Sequence, residues 1–197
     1  MNNFIIIAIC GKSASGKSTI ADKLQFELCE LGYDAHFIVS ASSRPRRENE
    51  IDGIDYHFLP KEKFFQENKY CEYTEFNGWY YGTPWSEIHE GINVGVFNPS
   101  GLRQLIDTVG VEKVVPIYLK CSAIERTKRS RMREGKITFE MLRRIIVDFF
   151  DFKKIDRLLY VFYDSYCIDS KQYPFWFIVK QIICFLRFER IIPRFPN

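Results

Sequence analysis

Apolar residues come first in a block: Phe4, Ile5, Ile6, Ile7, Ala8, Ile9 and Cys10 follow one another without a polar break. A β-branched run of that length with no alternation predicts a strand buried on both faces, as in a parallel sheet. The period then changes. Over residues 19–31, Ile20, Leu24, Leu28 and Leu31 share one helical face, and Gly32 follows as a stop. Residues 33–40 predict a second core strand, 92–98 and 114–120 two more, and 167–169 a last short one. Helices are predicted over 101–109, 124–133 and 138–159, with a flap at 134–136 and a C-terminal helix after the last strand. Strands alternating with helices predict right-handed crossovers onto a parallel sheet.

Between 41 and 83 the pattern breaks. Pro45, Gly53, Pro60, Gly78 and Gly82 punctuate aromatic runs at 70–73 and 79–81, around one helical stretch at 61–68. This predicts a small lobe inserted after the second strand. Val39 and Ser40 would emerge on the rim where the first strand also ends, the rim at which open α/β sheets bind ligands.

That first strand runs directly into Gly11-Lys12-Ser13-Ala14-Ser15-Gly16-Lys17-Ser18, a complete G-x-x-x-x-G-K-S loop, followed by Thr19 and the first helix. Loop N–H groups and a helix N-terminus converging on one point make an anion site. Lys17 is suited to β/γ-phosphates and the Ser18 hydroxyl to Mg²⁺. The expected fold class is therefore α/β, a P-loop NTPase three-layer core with a parallel sheet, and the expected ligand a nucleoside triphosphate.

The 197 residues suffice for one domain, 46% hydrophobic and 27% charged. A formal net charge of +3 is too small to imply nucleic acid by itself. Six cysteines (10, 29, 71, 121, 167 and 184) are scattered without a C-x-x-C pair, which argues for reduced thiols in a cytoplasmic protein. The N-terminal apolar run lacks a basic leader. Residues 175–186 include Lys180 and Gln181 and are too short and too polar to span a bilayer. A core-facing helix is the better reading, with an amphipathic surface anchor left open.

Two further stretches carry chemistry. In residues 42–58, Arg44 and Arg47 put two guanidinium forks in one loop, suited to a phosphate dianion. Tyr56 and, further on, Tyr81 offer hydroxyl donors without added charge. Glu72, in an aromatic-rich segment, is an acceptor-only carboxylate, matched to the adjacent N1–H and N2–H₂ donors of guanine and not to adenine. Residues 42–58 resemble the monophosphate-binding signature of guanylate kinases, roughly T-T-R-x-P-R-x-x-E-x-x-G-x-D-Y-x-F, with the proline displaced by one position. Residues 72–83 resemble that family's second signature, a glutamate followed by N-Y-Y-G-[ST]. The resemblance covers about residues 4–146.

The resemblance implies that Arg44, Arg47, Tyr56 and Tyr81 grip the acceptor phosphate. It further implies that Glu72, Ser40 and Thr83 read the base and that Glu50 orders the arginine loop. Arg129 and Arg133 are four apart and share a helical face. With Arg144 at the family's spacing they read as lid arginines over the triphosphate, in preference to a nucleic-acid helix. Arg126, Lys128 and Arg131 are expected at the surface. The implied organisation is a core of 1–40, 84–123 and 141–197, a nucleoside-monophosphate lobe of 41–83 and a lid of 124–140. The implied reaction is in-line transfer from ATP·Mg²⁺ to GMP or dGMP, with nucleotides as the only partners, no nucleic acid and no membrane, in a monomer or homodimer.

The family's paired aspartates are absent: by position they are Val96 and Asn98, and Asn98 loosens base choice. A deoxynucleoside monophosphate kinase of broader specificity is the alternative, and a non-catalytic binding module ranks lower because the phosphate loop is intact. In the C-terminal tail, Arg187, Arg190 and Arg194 interleave with Phe185, Phe188 and Phe195, and both a dimer contact and plain packing stay open.

Overall fold

A computed structural model describes residues 3–48, 50–67, 69–76, 78–134, 152, 166–169 and 173–193. The opening apolar block forms β1 (Phe4–Gly11), the middle strand of a five-stranded sheet. Its neighbours are β7 (Gly91–Val96) and β8 (Val114–Lys120), with β2 (Ala35–Phe37) outside β7 and β9 (Tyr166–Asp169) outside β8. All pairings are parallel. Ile6 lies opposite Asn93 on one side and Val114 on the other. Pro116 of β8 lies one residue before the β9 pairing begins at Ile117.

The two faces of β1 feed two helical layers. Ile7 and Ile9 pack with Ile20, Leu24 and Leu28 of α1 (Lys17–Glu30) and with Ile178, Ile182 and Leu186 of α5 (Phe175–Phe188). Ile6, Ala8 and Cys10 face Leu102 and Leu105 of α3 (Pro99–Val109), together with Phe152. Each fully buried aliphatic side chain contributes roughly 1.5–3 kcal/mol of transfer free energy, so uninterrupted burial on both sides explains the lack of alternation in β1. The segment 175–186 is thus a core helix. The fold is the expected three-layer α/β arrangement around a parallel sheet.

A second, four-stranded sheet has the order β4-β3-β6-β5, from β3 (Ala41–Ser42), β4 (His57–Phe58), β5 (Tyr70–Phe76) and β6 (Trp79–Pro84). Between β4 and β5 lies α2 (Phe64–Glu67), whose Phe64 stacks on Tyr70 at 4.4 Å. After β8 comes α4 (Ala123–Glu134).

Several boundaries differ from expectation, each for a local reason. The strand predicted over 33–40 shrinks to Ala35–Phe37 because the chain changes sheets. Ile38 still donates to Val94 O, but the Val39 N–H is taken by Glu87 Oε2 at 3.1 Å and Ser40 O by the His57 N–H. Helix α1 starts at Lys17 rather than 19 because Gly16, at φ 97°, accepts the left-handed turn that brings the chain into the helix. Helix α3 starts at Pro99 rather than 101: Asn98 caps it and proline occupies its first turn. The predicted helix over 138–159 lies outside the described residues except for Phe152, which is helical and buried. Of the flap at 134–136, only Glu134 is described, at the end of α4.

Candidate active site

The connections from β1 and β7 leave on opposite faces of the sheet, α1 toward β2 and α3 toward β8. That makes a crevice at the carboxyl ends of β1 and β7, where doubly wound sheets place ligands. The phosphate loop occupies it. Lys17 Nζ folds back to donate to Lys12 O at 2.9 Å, and Ala14 holds φ 60°. A left-handed alanine costs roughly 1–2 kcal/mol, so the loop is held by its surroundings. Two arginines of α4 do part of this. Arg129 Nη1 donates to Ser15 O at 3.2 Å, and Arg126 Nη1 reaches toward Ser13 O at 3.4 Å, on either side of Ala14. Arg129 is also anchored through Nε to Glu125 Oε1 at 3.2 Å. Arg126 was expected at the surface and is instead 4% exposed. The face of α4 that carries it turns in toward the loop, and its spacing of three from Arg129 puts both arginines on that face.

Across the crevice, Arg44 makes a two-pronged pair with Glu50, Nη1 to Oε2 and Nη2 to Oε1, both at 2.6 Å. Its side chain is 10% exposed and its guanidinium lies 5.2 Å from the Tyr56 ring and 5.3 Å from the Phe58 ring. The hydrogen bonds from Arg44 hold the Glu50 carboxyl below its ordinary value, and the same bonds raise Arg44. Glu50 also accepts the Arg47 N–H at 3.0 Å, so one carboxylate holds Arg44 by its side chain and Arg47 by its backbone. Tyr56 meets Tyr81 edge-on at 6.1 Å. Burial pushes the Tyr56 phenol up, which keeps it a hydrogen-bond donor at neutral pH.

Glu72 is 8% exposed. Thr83 Oγ1 donates to its Oε1 at 2.8 Å, and burial pushes the carboxyl up to about 7. Its Oε2 rests against Gly101 so closely that a Cβ there would collide with it. A larger residue at that point, in the first turn of α3, would force the Glu72 carboxyl to shift. Beside it, Asn98 Oδ1 accepts from Gly101 N at 2.7 Å and Nδ2 donates to Thr74 Oγ1 at 2.9 Å.

These groups share a cleft of about 310 Å³ lined by Gly11, Ser13, Lys17, Ser40, Arg44, Arg47, Tyr56, Glu72, Tyr81 and Asn98 from the expected set. Thr74, Phe76, Phe97 and Phe152 also line it and were missed. For Thr74 and Phe76 a signal existed: with Glu72 they alternate along β5 and point to one side. Thr83 is fully buried and reaches the cleft only through Glu72, as Glu50 does through Arg44. A second cavity of about 250 Å³, on the α5 side, is lined by Ala14, Gly16, Lys17, Ser18, Thr19, Arg129, Ser130 and Phe175. Lys17 belongs to both walls. Ser15 is buried beneath the loop. The side chain of Arg133 and all of Arg144 lie outside the described residues.

Val96, at the position of the first of the two aspartates that this sequence lacks, stands in the cleft wall. Among the described residues, no group of three His, Cys, Asp or Glu side chains is arranged to hold a metal. Ser18 remains, a hard oxygen donor in the first turn of α1. Mg²⁺ retains waters and takes phosphate oxygens, so one hydroxyl beside a triphosphate fits it. Burial pushes the Cys10 and Cys71 thiols up to about 12, so neither is a nucleophile. Among the described residues, no helix is long and apolar enough to cross a membrane.

The family model for guanylate kinase matches residues 2–144, well over half of the chain. The chain belongs to the guanylate kinase family. A guanylate kinase of Clostridium perfringens strain SM101 is 34% identical over 151 residues, 72% of this chain and 66% of that protein. One from Lawsonia intracellularis is 32% identical over 135 residues, 64% of this chain and 61% of that protein. The matches span between 44% and 66% of the length of these and other curated relatives. A crystal structure of guanylate kinase from Anaplasma phagocytophilum aligns with a TM-score of 0.67 over 98% of this chain and 89% of that one, at 22% identity. That likeness is one of fold, and it extends through α5, whereas the family model ends before it.

Proposed function

We propose that this chain transfers the γ-phosphoryl group of ATP to a nucleoside monophosphate, with GMP and dGMP as the favoured acceptors. One observation carries the reading: Lys17 lies in the walls of both cavities, so a triphosphate on the loop and a monophosphate in the larger cleft would share that lysine. Arg44, Arg47, Tyr56 and Tyr81 bind the acceptor phosphate, and Glu72, steadied by Thr83, takes the N1–H and N2–H donors of guanine. Ser40 lines the same end of the lobe. The second sheet serves as the acceptor lobe and α4 as the stem of the lid, with Arg129, Arg133 and Arg144 supplying charge over the triphosphate.

Ser18 would hold Mg²⁺ together with the ATP phosphates, and the bound ion would supply charge neutralisation between the β- and γ-phosphates. The residues named here need no general base, because phosphoryl transfer depends on alignment and electrostatics. Approach of lobe and lid would exclude water from the reacting phosphates. A cytoplasmic role in nucleotide supply suits these substrates.

The test is ADP formation from ATP·Mg²⁺ against GMP, dGMP, AMP, CMP, UMP and dTMP. Turnover confined to GMP and dGMP supports the reading. Turnover spread over several deoxynucleotides replaces it with a broader monophosphate kinase, which Asn98 favours. ATP binding without turnover on any acceptor refutes both.

A further inference from the structure

Asn98 has its amide orientation dictated by its neighbours. Its Oδ1 accepts the Gly101 backbone N–H at 2.7 Å and the Ser100 hydroxyl at 3.0 Å. A backbone N–H can only donate, so the amide oxygen and not the nitrogen must face it. Nδ2 is thereby turned to Thr74 Oγ1, 2.9 Å away. With two donors on it, the oxygen has no capacity left for a ligand. What Asn98 offers the cleft is an N–H. Asn98 and Glu72 line the same cleft, so this donor and that acceptor both face a ligand held there.

We propose that this pairing makes Glu72 the sole carboxylate acceptor for the base, so that hypoxanthine nucleotides (IMP and dIMP) are substrates beside guanine nucleotides. The inference rests on the acceptor reading above. Hypoxanthine keeps the N1–H and the 6-oxo group of guanine and lacks only the 2-amino group. Of the two N–H bonds on that amino group, Glu72 takes one. The other is directed at a donor or at solvent, and contributes nothing to selection. A site discriminates strongly against a missing group only when its own polar atoms are left unpaired by the loss. Here one carboxylate oxygen loses a partner and no second carboxylate does. Adenine stays excluded, because it has no N1–H for Glu72.

The experiment compares kcat/KM for GMP and IMP, with ATP·Mg²⁺ at pH 8.5, in the wild-type chain and in Asn98→Asp. Aspartate still caps α3 through Gly101 N, so the fold is retained, while its second oxygen adds a charged acceptor. The wild-type chain is expected to use IMP within about 100-fold of GMP, the cost of one hydrogen bond to a charged group. In Asn98→Asp the preference for GMP over IMP should widen by roughly tenfold or more. Wild-type rejection of IMP beyond about 1,000-fold, or an unchanged ratio in Asn98→Asp, overturns the inference and leaves the kinase reading standing. Absence of turnover with both purines in the wild-type chain overturns the two together.

Discussion

Glu72 is placed where a carboxylate is useful to a ligand and costly to the fold. It is buried, with one hydroxyl donor from Thr83, and its proton is held until about pH 7 instead of the ordinary 4.5. Between those values the folded chain binds more protons than the unfolded one. Stability must therefore fall as pH rises through this window, with no loss below about 4.5 and the full loss above about 7. At 1.36 kcal/mol per pH unit, the interval of about 2.5 units corresponds to roughly 3 kcal/mol, a large fraction of the stability of a domain this size.

Glu72→Gln isolates that contribution. The amide oxygen still accepts from Thr83, the volume is unchanged and nothing titrates. Urea unfolding of both chains at pH 5.0 and pH 8.5 should show the variant gaining on the wild type by about 2–3 kcal/mol between the two conditions. A difference between the two chains that does not change with pH would report only how the amide packs and would refute the argument from burial. The same substitution should lower selectivity for GMP over AMP, since the amide nitrogen opposes a donor where the carboxylate accepts one. Stability gained at the expense of base selection is the expected signature of a group retained for its ligand.

Other perturbations separate the remaining roles. Gly101→Ala should gain up to about 1 kcal/mol of helix propensity yet lose more, because its Cβ collides with Glu72 Oε2. A net loss of about 1–3 kcal/mol in urea unfolding, with weakened GMP discrimination, is expected, and net stabilisation with intact selectivity would show that Glu72 yields freely. Arg44→Ala should raise KM for the monophosphate by tenfold or more while KM for ATP stays within about twofold; Arg44→Lys should not rescue it, for want of the planar fork that meets Glu50 at two points. Arg126→Met should raise KM for ATP several-fold and lower the unfolding midpoint, since the guanidinium beside Ser13 O is removed, and an unchanged KM for ATP would deny Arg126 any part in shaping the loop.

Features that depend on neighbours in sequence were legible before the structure was. An unbroken apolar run, a glycine-rich turn and a helical period specify β1, the phosphate loop and α1 by local rules alone, and the spacing of Arg44, Arg47, Tyr56, Glu72 and Tyr81 singled out residues that the structure gathers around one cleft. Features decided by packing were not. Strands β3 and β4 are two residues long and have no periodicity to read; they exist because Val39 and Ser40 are handed from one sheet to the other. Arg126 sits in a basic stretch whose composition is that of a solvated face, and only the seating of α4 on the loop turns it inward. Asn98 combines both kinds. Asn98-Pro99 is a local helix-start signal, and it was passed over in favour of Gly101. Once the cap is recognised, the amide oxygen is committed to the helix, and what is left for a ligand follows from which side chain faces the nitrogen. Thr74 does so across 24 residues of chain, so the chemistry that Asn98 presents to the cleft is set by the meeting of β5 with α3.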